Sequence, residues 1–240
     1  MIATSHSSTT VSGDRNLILA KIREALREEA PLKHPAERSA GGEPTTAHFR
    51  EWLPPVGPST EERFALFARL SETLKTELHL CADAAHAAGV ISAIAKESEW
   101  KTIALHHGEL TDAVAAVLPQ SLQCLWVDKG YDKDTLEACD AGVSECELLV
   151  AQTGSVCVTG PSSGGRVLSV LPPHHLVIAR RSQLVTDLTE AYASLATKYR
   201  DKGYPSMISF ITGPSRTGDI ERILVLGAHG PKRLTVLLLP

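Results

Sequence analysis

Apolar residues along the chain recur with two periods, one typical of helices and one typical of strands. Near the amino terminus the helical spacing runs from Leu19 to Leu26, which predicts an amphipathic helix over 14–30. Prolines and glycines dominate residues 31–58, a composition typical of an extended arm. A lone helix of this length is marginal in water, so its apolar face needs a partner surface.

From residue 59 onward, helical and strand patterns alternate. Ser59 and Glu62 have the spacing of a capping box, in which each side chain bonds a free backbone N–H, so a helix begins there. Further helices are predicted over 83–96, 112–118, 184–199 (with Tyr192 among its inward residues) and 217–226. Strands are predicted over 78–81, 101–105, 123–127, 147–151, 155–159, 175–179, 206–211 and 234–239.

This alternation predicts an α/β fold with a mostly parallel sheet flanked by helices. The two short strands on either side of 152–154 predict an antiparallel hairpin excursion on that sheet. The predicted organisation is therefore an N-terminal helix and Pro/Gly-rich arm over 1–58, followed by one α/β domain over 59–240.

Composition and charge narrow the function classes. The chain has 240 residues, 43% hydrophobic and 22% charged, and can bury a core without disulfides or a structural metal. Its formal net charge of −4 disfavours a general nucleic-acid binder, which needs a basic excess. Residues 1–12 carry no basic segment or apolar core, and apolar runs such as 236–239 are too short for a membrane span. We therefore expect a cytoplasmic protein with neither nucleic-acid nor membrane partners.

The cysteine and histidine spacings do not indicate a metal site. The five cysteines include no Cys-x-x-Cys pair, which zinc ribbons and iron–sulfur ligand runs require. His174 and His175 are adjacent on a predicted strand and alternate between its faces, so they cannot easily share one ion. We expect no metal, no cofactor, and reduced, mostly buried thiols.

The segment 160–166 (Gly-Pro-Ser-Ser-Gly-Gly-Arg) has the glycine spacing of a phosphate loop. Arg166 and Val167, however, stand where such a loop needs Lys and Ser or Thr, so a nucleotide triphosphatase is rejected. Two interpretations remain, a flexible turn or a loop from which Arg166 reaches an anionic ligand.

A more specific segment is 212–221 (Thr-Gly-Pro-Ser-Arg-Thr-Gly-Asp-Ile-Glu), which follows an apolar strand and is predicted to open a helix. Open α/β sheets bind ligands at the carboxyl ends of strands, and a helix N-terminus attracts anions. Ser215, Arg216 and Thr217 add two hydroxyls and a guanidinium. Asp219 fits as an acid of the first helical turn or as an Arg clamp. The alternative is a well-capped helix that binds nothing.

A Gly-rich loop, 227–231, joins this predicted helix to the last strand. Gly227 suits the position just after a helix, and His229 would lie at the opposite end of the helix from Ser215. A lone histidine in such a loop is more often structural than a ligand-binding residue.

Four sequence blocks occur together, at 151–155 (Ala-Gln-Thr-Gly-Ser), 168–175 (Leu-Ser-Val-Leu-Pro-Pro-His-His), 212–221 and 227–231. In this order the chain resembles the LUD domain of the lactate-utilisation protein C family over roughly residues 59–240. The resemblance implies a NagB/RpiA/CoA transferase-like fold and a role in a system that oxidises L-lactate to pyruvate. It also implies partner subunits that carry the iron–sulfur clusters.

The resemblance and the loops together give a set of predicted ligand-binding residues. The set comprises Thr153, Gly154, Ser155, Arg166, His175, Ser215, Arg216, Thr217, Asp219 and His229. His175 is preferred over His174, and no residue is assigned a catalytic role. Gln152 departs from the acid that the family usually has before the Thr-Gly pair, so a general base there would be missing.

Three functional hypotheses follow from these patterns. The first is a non-redox subunit of a lactate-oxidising system with an anionic small-molecule pocket. The alternative is a stand-alone enzyme or binding protein for a sugar phosphate, folate or CoA thioester. The third is a binding module whose arm docks another protein, a second copy in a homo-oligomer, or its own domain.

Overall fold

The protein is described by a computed structural model that covers residues 10–25, 27, 53–128, 130–218, 224–226 and 229–240. The chain divides into two compact units, Met1–His48 and Phe49–Pro240. The first unit contains helix α1 (Thr10–Ala25), and its Leu17 and Ile18 are exposed. A helix is confirmed here, although it ends earlier than predicted. The boundary at residue 58 stays a prediction, and most of the predicted arm lies outside the described residues.

The second unit alternates helices and strands. Its helices are α2 (Thr60–Leu74), α3 (Ala84–Glu97), α4 (Glu109–Ala115), α5 (Lys133–Glu137) and α6 (Leu188–Tyr199). Its strands are β1 (Thr76–Leu80), β2 (Thr102–Leu105), β3 (Gln123–Trp126), β4 (Ala141–Glu145), β5 (Leu148–Val150), β6 (Ser155–Thr159), β7 (His174–Arg180), β8 (Leu184–Val185), β9 (Ile208–Ile211), β10 (Arg216–Gly218), β11 (Leu224–Leu226) and β12 (Arg233–Leu239). None of the helices within the described ranges is long and apolar enough to cross a membrane.

Side-chain caps fix where the longer helices begin. The predicted capping box is confirmed at α2, where Ser59 Oγ accepts from the Glu62 N–H and the Glu62 carboxylate accepts from the Ser59 N–H. The carboxylates of Asp83 and Asp187 accept in the same way at the starts of α3 and α6. Each cap satisfies a backbone donor that the first helical turn leaves free.

The main sheet confirms the predicted fold class. Its six strands run in the order β1-β12-β7-β4-β2-β3, and every neighbouring pair is parallel. The predicted hairpin is also present, with β5 and β6 antiparallel. It belongs to a second, four-stranded sheet in the order β8-β5-β6-β9, and not to the main sheet.

The hydrophobic core shows how the layers stack. One face of the main sheet packs against α3 and α4 through residues such as Ile91, Leu105 and Ile178. The opposite face packs against α2 and the second sheet through Phe67, Val156 and others. The outer face of the second sheet packs against α6. Side chains alternate along a strand, so neighbouring residues of β7 face different layers.

Two predictions about the second half of the domain are wrong. The helix predicted over 217–226 is wrong for the residues that the structure describes there, because Arg216–Gly218 and Leu224–Leu226 pair as the antiparallel strands β10 and β11. Tyr192 on α6 is 59% exposed and does not turn inward. The sequence patterns also missed α5 and the central strand β4, whose small Gly142 lets the backbone carbonyl of Leu168 approach closely.

Candidate functional site

A small cavity lies at the amino ends of β7 and β12, and residues of both sheets bound it. Its volume is about 140 Å³. Three of the predicted ligand-binding residues, His175, Ser215 and His229, line it together. The other lining residues are Ser169, Ile211, Gly213, Pro214, Gly230, Pro231 and Leu234.

His175 is the most deeply buried polar side chain of this cavity. Only 1% of its surface is exposed, and its Nε2 lies 2.9 Å from the hydroxyl of Ser144 on the neighbouring strand β4. Its Nδ1 has no hydrogen-bond partner among the described residues. Burial lowers the pKa of His175 to about 3, and the neighbouring His174 contributes to this shift. The ring is therefore neutral near pH 7 and acts as a hydrogen-bonding group rather than as a cation.

The turn that carries Ser215 is held in place by the end of α2 and by the loop before β12. Gly213 has a φ of +89°, and a Cβ there would lie 2.8 Å from the carbonyl oxygen of Leu74. The Arg216 guanidinium donates to that same carbonyl. The backbone N–H of Ser215 donates to the carbonyl of Pro231 at 2.8 Å. The glycine is required because only it combines this conformation with so close an approach.

This geometry corrects the predicted anion site. No helix begins after Ser215, because Arg216 enters β10, so no helix N-terminus aims its amides at a ligand. The turn follows β9 of the second sheet and lies beside the amino ends of the main sheet, not its carboxyl ends. His229 lines the same cavity as Ser215, whereas the predicted helix would have held them apart.

The predicted hairpin residues lie next to this turn but do not line the cavity. The hydroxyls of Thr153 and Ser155 are 2.7 Å apart, and Ser155 Oγ lies 2.7 Å from Thr212 Oγ1. Gly154 has a φ of +64°, and a Cβ there would lie 2.9 Å from a methyl group of Leu74. Both turns therefore rest on the end of α2, and a chain of hydroxyls joins them.

The remaining predicted residues are not brought into the cavity by the described part of the chain. Arg166 is exposed and donates to the Ser206 carbonyl at 2.7 Å. Arg216 is exposed and bonded to Leu74, as described above. Thr217 belongs to β10, but its side chain is not among those described, and Asp219 lies outside the described residues.

A wider depression of about 490 Å³ shares His229 and Gly230 with the cavity. Lys232 and Glu137 also line it, so it brings an ammonium group and a carboxylate close to the cavity wall. The backbone N–H of Lys232 donates to the Pro173 carbonyl at 2.7 Å, which fixes the start of β12.

His174 is buried on the opposite face of β7 and does not line the cavity. Its Nε2 lies 2.7 Å from Thr235 Oγ1, which in turn donates to the Glu77 carboxylate at 3.2 Å. Trp100 packs edge-on against its ring at 5.1 Å. Burial lowers the pKa of His174 to about 4, and the Arg233 charge adds to the shift.

Two serines of this region were missed by the sequence patterns. Ser169 lines the cavity and is 9% exposed, and it belongs to the block 168–175 that carries part of the family resemblance. The block 168–175 could therefore have identified Ser169 as a candidate site residue. Ser144 holds His175 from β4, a strand without a clear apolar pattern, so the sequence offered no comparable signal.

The carboxyl ends of β2 and β4 contrast with the cavity. One oxygen of Glu145 accepts from the backbone N–H groups of Leu110 and Thr111 at 2.7 and 3.1 Å. The His106 Nε2 accepts from the Glu145 N–H at 3.1 Å, and its Nδ1 lies 3.0 Å from the His107 carbonyl. The polar groups at these strand ends therefore form hydrogen bonds with one another.

A larger cavity, about 470 Å³, lies at the carboxyl ends of β1 and β12. Apolar residues such as Leu80, Leu238 and Leu239 contribute much of its wall, and none of the predicted ligand-binding residues lines it. Of its polar neighbours, Arg181 stacks over the Phe64 ring and His86 Nδ1 accepts from the Ala82 N–H. We therefore place the candidate site in the smaller cavity, which three of the predicted residues line.

The side chains that could bind a metal ion do not cluster in the described part of the chain. The described residues contain no group of three or more His, Cys, Asp or Glu side chains placed to hold a metal ion. All five cysteines are free, and all except Cys124 are buried, in agreement with the prediction for the thiols. Burial raises the pKa of Cys157 to about 12, so this thiol stays protonated.

Comparisons with curated proteins find relatives named lactate utilization protein C. A relative from Geobacillus sp. (strain WCH70) is 36% identical over 106 residues, which are 43% of this chain and 44% of that protein. A relative from Exiguobacterium sp. (strain ATCC BAA-1283 / AT1b) is 27% identical over 186 residues, 76% of this chain and 80% of that protein. In the matches to Geobacillus and Shouchella clausii, the chain spans about half the relative's length.

Fold and family are supported by two further comparisons. A crystal structure of a DUF162 family protein from Deinococcus radiodurans has a TM-score of 0.60 at 19% identity, covering 77% of this chain and 100% of that chain. This likeness shows the fold alone. The LUD domain family model matches residues 65–239, well over half of the sequence and the whole region in which the cavity lies. The chain therefore belongs to the LUD domain family.

Proposed function

We propose that this chain is a non-redox subunit of a cytoplasmic system that oxidises L-lactate to pyruvate, and that its cavity holds a small anionic molecule. The names of the relatives from Geobacillus, Shouchella and Exiguobacterium support the role in lactate utilisation. The partners in this proposal are subunits that carry iron–sulfur clusters.

One observation carries the proposal: sequence blocks that are far apart along the chain meet at one cavity. His175 comes from the block 168–175, Ser215 from 212–221 and His229 from 227–231. These are blocks on which the family resemblance rests. A shared cavity is a physical reason for residues so far apart in the sequence to act together.

The dimensions and chemistry of the cavity fit a small hydroxy acid. A volume of about 140 Å³ equals the liquid volume of roughly five water molecules, enough for a molecule of lactate's size. A folate or a CoA thioester needs a pocket of roughly 300–1,000 Å³. The hydroxyl of Ser215 can donate to a carboxylate, and Lys232 lines the adjoining depression together with Glu137.

The cysteines support a division of labour with other subunits. The five cysteines include no Cys-x-x-Cys pair of the kind that iron–sulfur ligand runs require. In the proposed system, electron transfer therefore belongs to the partner subunits, and this chain contributes ligand binding and a docking surface.

Growth of the source organism tests the role. Deletion of the gene is expected to impair growth on L-lactate and to leave growth on pyruvate unchanged. Normal growth of the deletion strain on both carbon sources would contradict the lactate assignment.

Complementation then tests the cavity. A Ser215→Leu variant places a bulky side chain in the cavity wall and is expected to restore growth on L-lactate poorly. Ser194→Leu, a matched change at an exposed serine of α6, is expected to restore growth fully. Equal rescue by the two variants at equal protein levels would remove the cavity from the proposal.

A further inference from the structure

The larger cavity, at the carboxyl ends of β1 and β12, has the location and size of a small-molecule site. Open parallel sheets bind ligands at this edge, in the crevice between strand ends and helix starts. The volume of about 470 Å³ falls within the roughly 300–1,000 Å³ of typical ligand pockets. No described residue lines both this cavity and the smaller one at the amino ends.

The wall of this cavity is largely apolar, and part of it is open to water. Leu80 at the end of β1 is 53% exposed, whereas Leu238, its partner in register on β12, is buried. Leu239 and Ala82 add further apolar surface. An alkyl chain that enters the cavity removes apolar surface of Leu80 from water, which favours binding.

His86, in the first turn of α3, supplies a hydrogen-bond donor to the cavity. Its Nδ1 accepts from the backbone N–H of Ala82 at 3.2 Å. A nitrogen that accepts carries no proton, so the neutral ring is protonated on Nε2 and can donate from there. His86 is exposed and lines the cavity, so a ligand can reach it.

Arg181, the residue after β7, supplies a positive charge. Its guanidinium carbon lies 4.6 Å from the centre of the Phe64 ring, and this stacking orients the group. No carboxylate among the described residues pairs with it. None of the described side chains that line the cavity is acidic, and the nearby Asp83 carboxylate accepts from the His86 N–H as the cap of α3. The wall therefore favours an anion.

We propose that this cavity binds a small fatty acid, whose carboxylate bonds to Arg181 and His86 and whose alkyl chain packs against Leu80 and Leu239. The ligand class follows from the presence of two donors, one of them cationic, and an apolar wall around one space. L-lactate lacks the alkyl chain that such a wall binds, so this is a second site for a different molecule. The inference does not depend on the proposed function of the smaller cavity.

Titration calorimetry of the full chain with sodium acetate, butanoate, hexanoate and octanoate tests the ligand class. The affinity is expected to rise roughly fourfold for each added methylene that the wall buries. Octylammonium chloride has the same alkyl chain with the opposite charge, and it is expected to bind at least tenfold more weakly than octanoate, because Arg181 repels it. Equal affinities for acetate and octanoate, or for octanoate and octylammonium, would overturn the inference, as would absence of octanoate binding at millimolar concentration.

Two exposed wall residues locate the site without disturbing the core. Arg181→Met keeps an unbranched side chain over Phe64 and removes the charge, and it is expected to weaken octanoate binding roughly tenfold or more. Arg200→Met, at an exposed arginine after α6, is the matched control and is expected to bind octanoate as the wild-type chain does. Equal affinities of the two variants would remove Arg181 from the site and overturn the inference.

A change to the apolar wall gives an independent test. Leu80→Asp replaces an exposed apolar side chain with a carboxylate and is expected to abolish octanoate binding. Val117→Asp, at a residue 54% exposed after α4, is the matched control and is expected to leave binding unchanged. Retained octanoate binding by a folded Leu80→Asp variant would contradict the proposed contact with the chain.

A variant of the other cavity separates this inference from the proposed function. Ser215→Leu is expected to bind octanoate with wild-type affinity, because Ser215 lines only the smaller cavity. Loss of octanoate binding in this variant would assign octanoate to the smaller cavity and overturn the inference. The growth of the deletion strain on L-lactate decides the proposed function separately, whatever the affinity for octanoate.

Discussion

The two ends of the main sheet use their polar groups differently. In open parallel sheets, ligands usually bind at the carboxyl ends of the strands, where the chain reverses its direction across the sheet. Here that point lies between β2 and β4, since β2 leads outward to β3 and β4 leads back towards β7. Glu145 and His106 lie at this point. The Glu145 carboxylate accepts from the Leu110 N–H, and His106 Nε2 accepts from the Glu145 N–H. At the amino ends, by contrast, His175 lines a cavity with one nitrogen unpaired.

This difference separates an end of the sheet where polar groups are paired within the protein from an end where a buried histidine lines a cavity. At the carboxyl ends the Glu145 carboxylate accepts from backbone N–H groups that an anionic ligand would otherwise bind. At the amino ends His175 Nδ1 has no partner among the described residues, and the residue lines a cavity. Substitutions that unpair groups at the carboxyl ends should therefore affect stability, and substitutions of the exposed polar groups of the cavity wall should affect binding.

The largest expected effect is a loss of stability in mild acid that originates at the amino ends. The pKa of His175 is lowered to about 3 and that of His174 to about 4, against 6.5 for an ordinary histidine. Between pH 6.5 and 4.5 the unfolded chain therefore binds protons that the folded chain refuses, so the free energy of unfolding falls as the pH falls. Each imidazole contributes about 1.4 kcal/mol per pH unit at most.

Denaturant unfolding at pH 6.5 and 4.5 measures this effect. We expect a loss of about 3 to 5 kcal/mol for the two imidazoles together. A His174→Phe/His175→Phe double variant serves as the control and is expected to lose markedly less over the same interval. An unchanged pH dependence in the double variant would show that the imidazoles are not desolvated, and the comparison between the two ends would fail.

The next effect is a loss of stability without a loss of binding at the carboxyl ends. Glu145→Ala leaves the N–H groups of Leu110 and Thr111 without their acceptor, which costs about 2 kcal/mol. The affinity for L-lactate is expected to stay the same. Glu145→Gln retains one oxygen as acceptor and is expected to destabilise the chain less. Weaker ligand binding by a folded Glu145→Ala variant would place the site at the wrong end of the sheet.

A smaller effect, of the opposite kind, is expected at the cavity. Ser215→Ala removes a hydroxyl from its wall and is expected to weaken L-lactate binding by about 1 kcal/mol, with the free energy of unfolding nearly unchanged. Calorimetry and denaturant unfolding of the same preparation measure the two quantities. Intact affinity in this variant would remove Ser215 from the site, and Ser194→Ala provides the matched control on α6.

The smallest effect is expected for Arg216. The sequence patterns predict that its guanidinium binds an anion, so that Arg216→Ala would weaken binding by about 1.5–3 kcal/mol. In the structure the guanidinium is exposed and donates to the Leu74 carbonyl, and it does not line the cavity. We therefore expect Arg216→Ala to weaken L-lactate binding by less than Ser215→Ala does. A loss greater than tenfold would restore the original interpretation.

The periodicity of apolar residues predicted much of the fold, because those helices and strands are determined by residues close together in the sequence. The Ser59–Glu62 capping box and the short apolar strands of the main sheet depend on neighbouring residues, and they lie where expected. The prediction of a helix over 217–226 was wrong for a different reason. Arg216–Gly218 pairs with Leu224–Leu226, and Arg216 bonds to Leu74, and these contacts override the local helical preference. Tertiary contacts of this kind leave no periodic signal in the sequence.

The sequence patterns named three residues that line the candidate cavity, but they predicted the wrong end of the sheet for it. The blocks identified His175, Ser215 and His229, which do meet. Their location at the amino ends could not be foreseen, because it depends on a second sheet that covers one face of the main sheet. Ser144 was not predicted, because it contacts His175 only through the pairing of β4 with β7. The order of strands in the sheet reveals that pairing, and the sequence does not.

The contact between Arg216 and Leu74 joins residues that are 142 positions apart in the chain. Strand β1, which follows Leu74, likewise pairs with β12, which comes much later in the chain. During synthesis the ribosome therefore releases α2 and β1 long before the turn and the strand that complete the cavity wall. A chain truncated before β12 lacks part of the cavity wall, so it is expected not to hold the proposed small molecule.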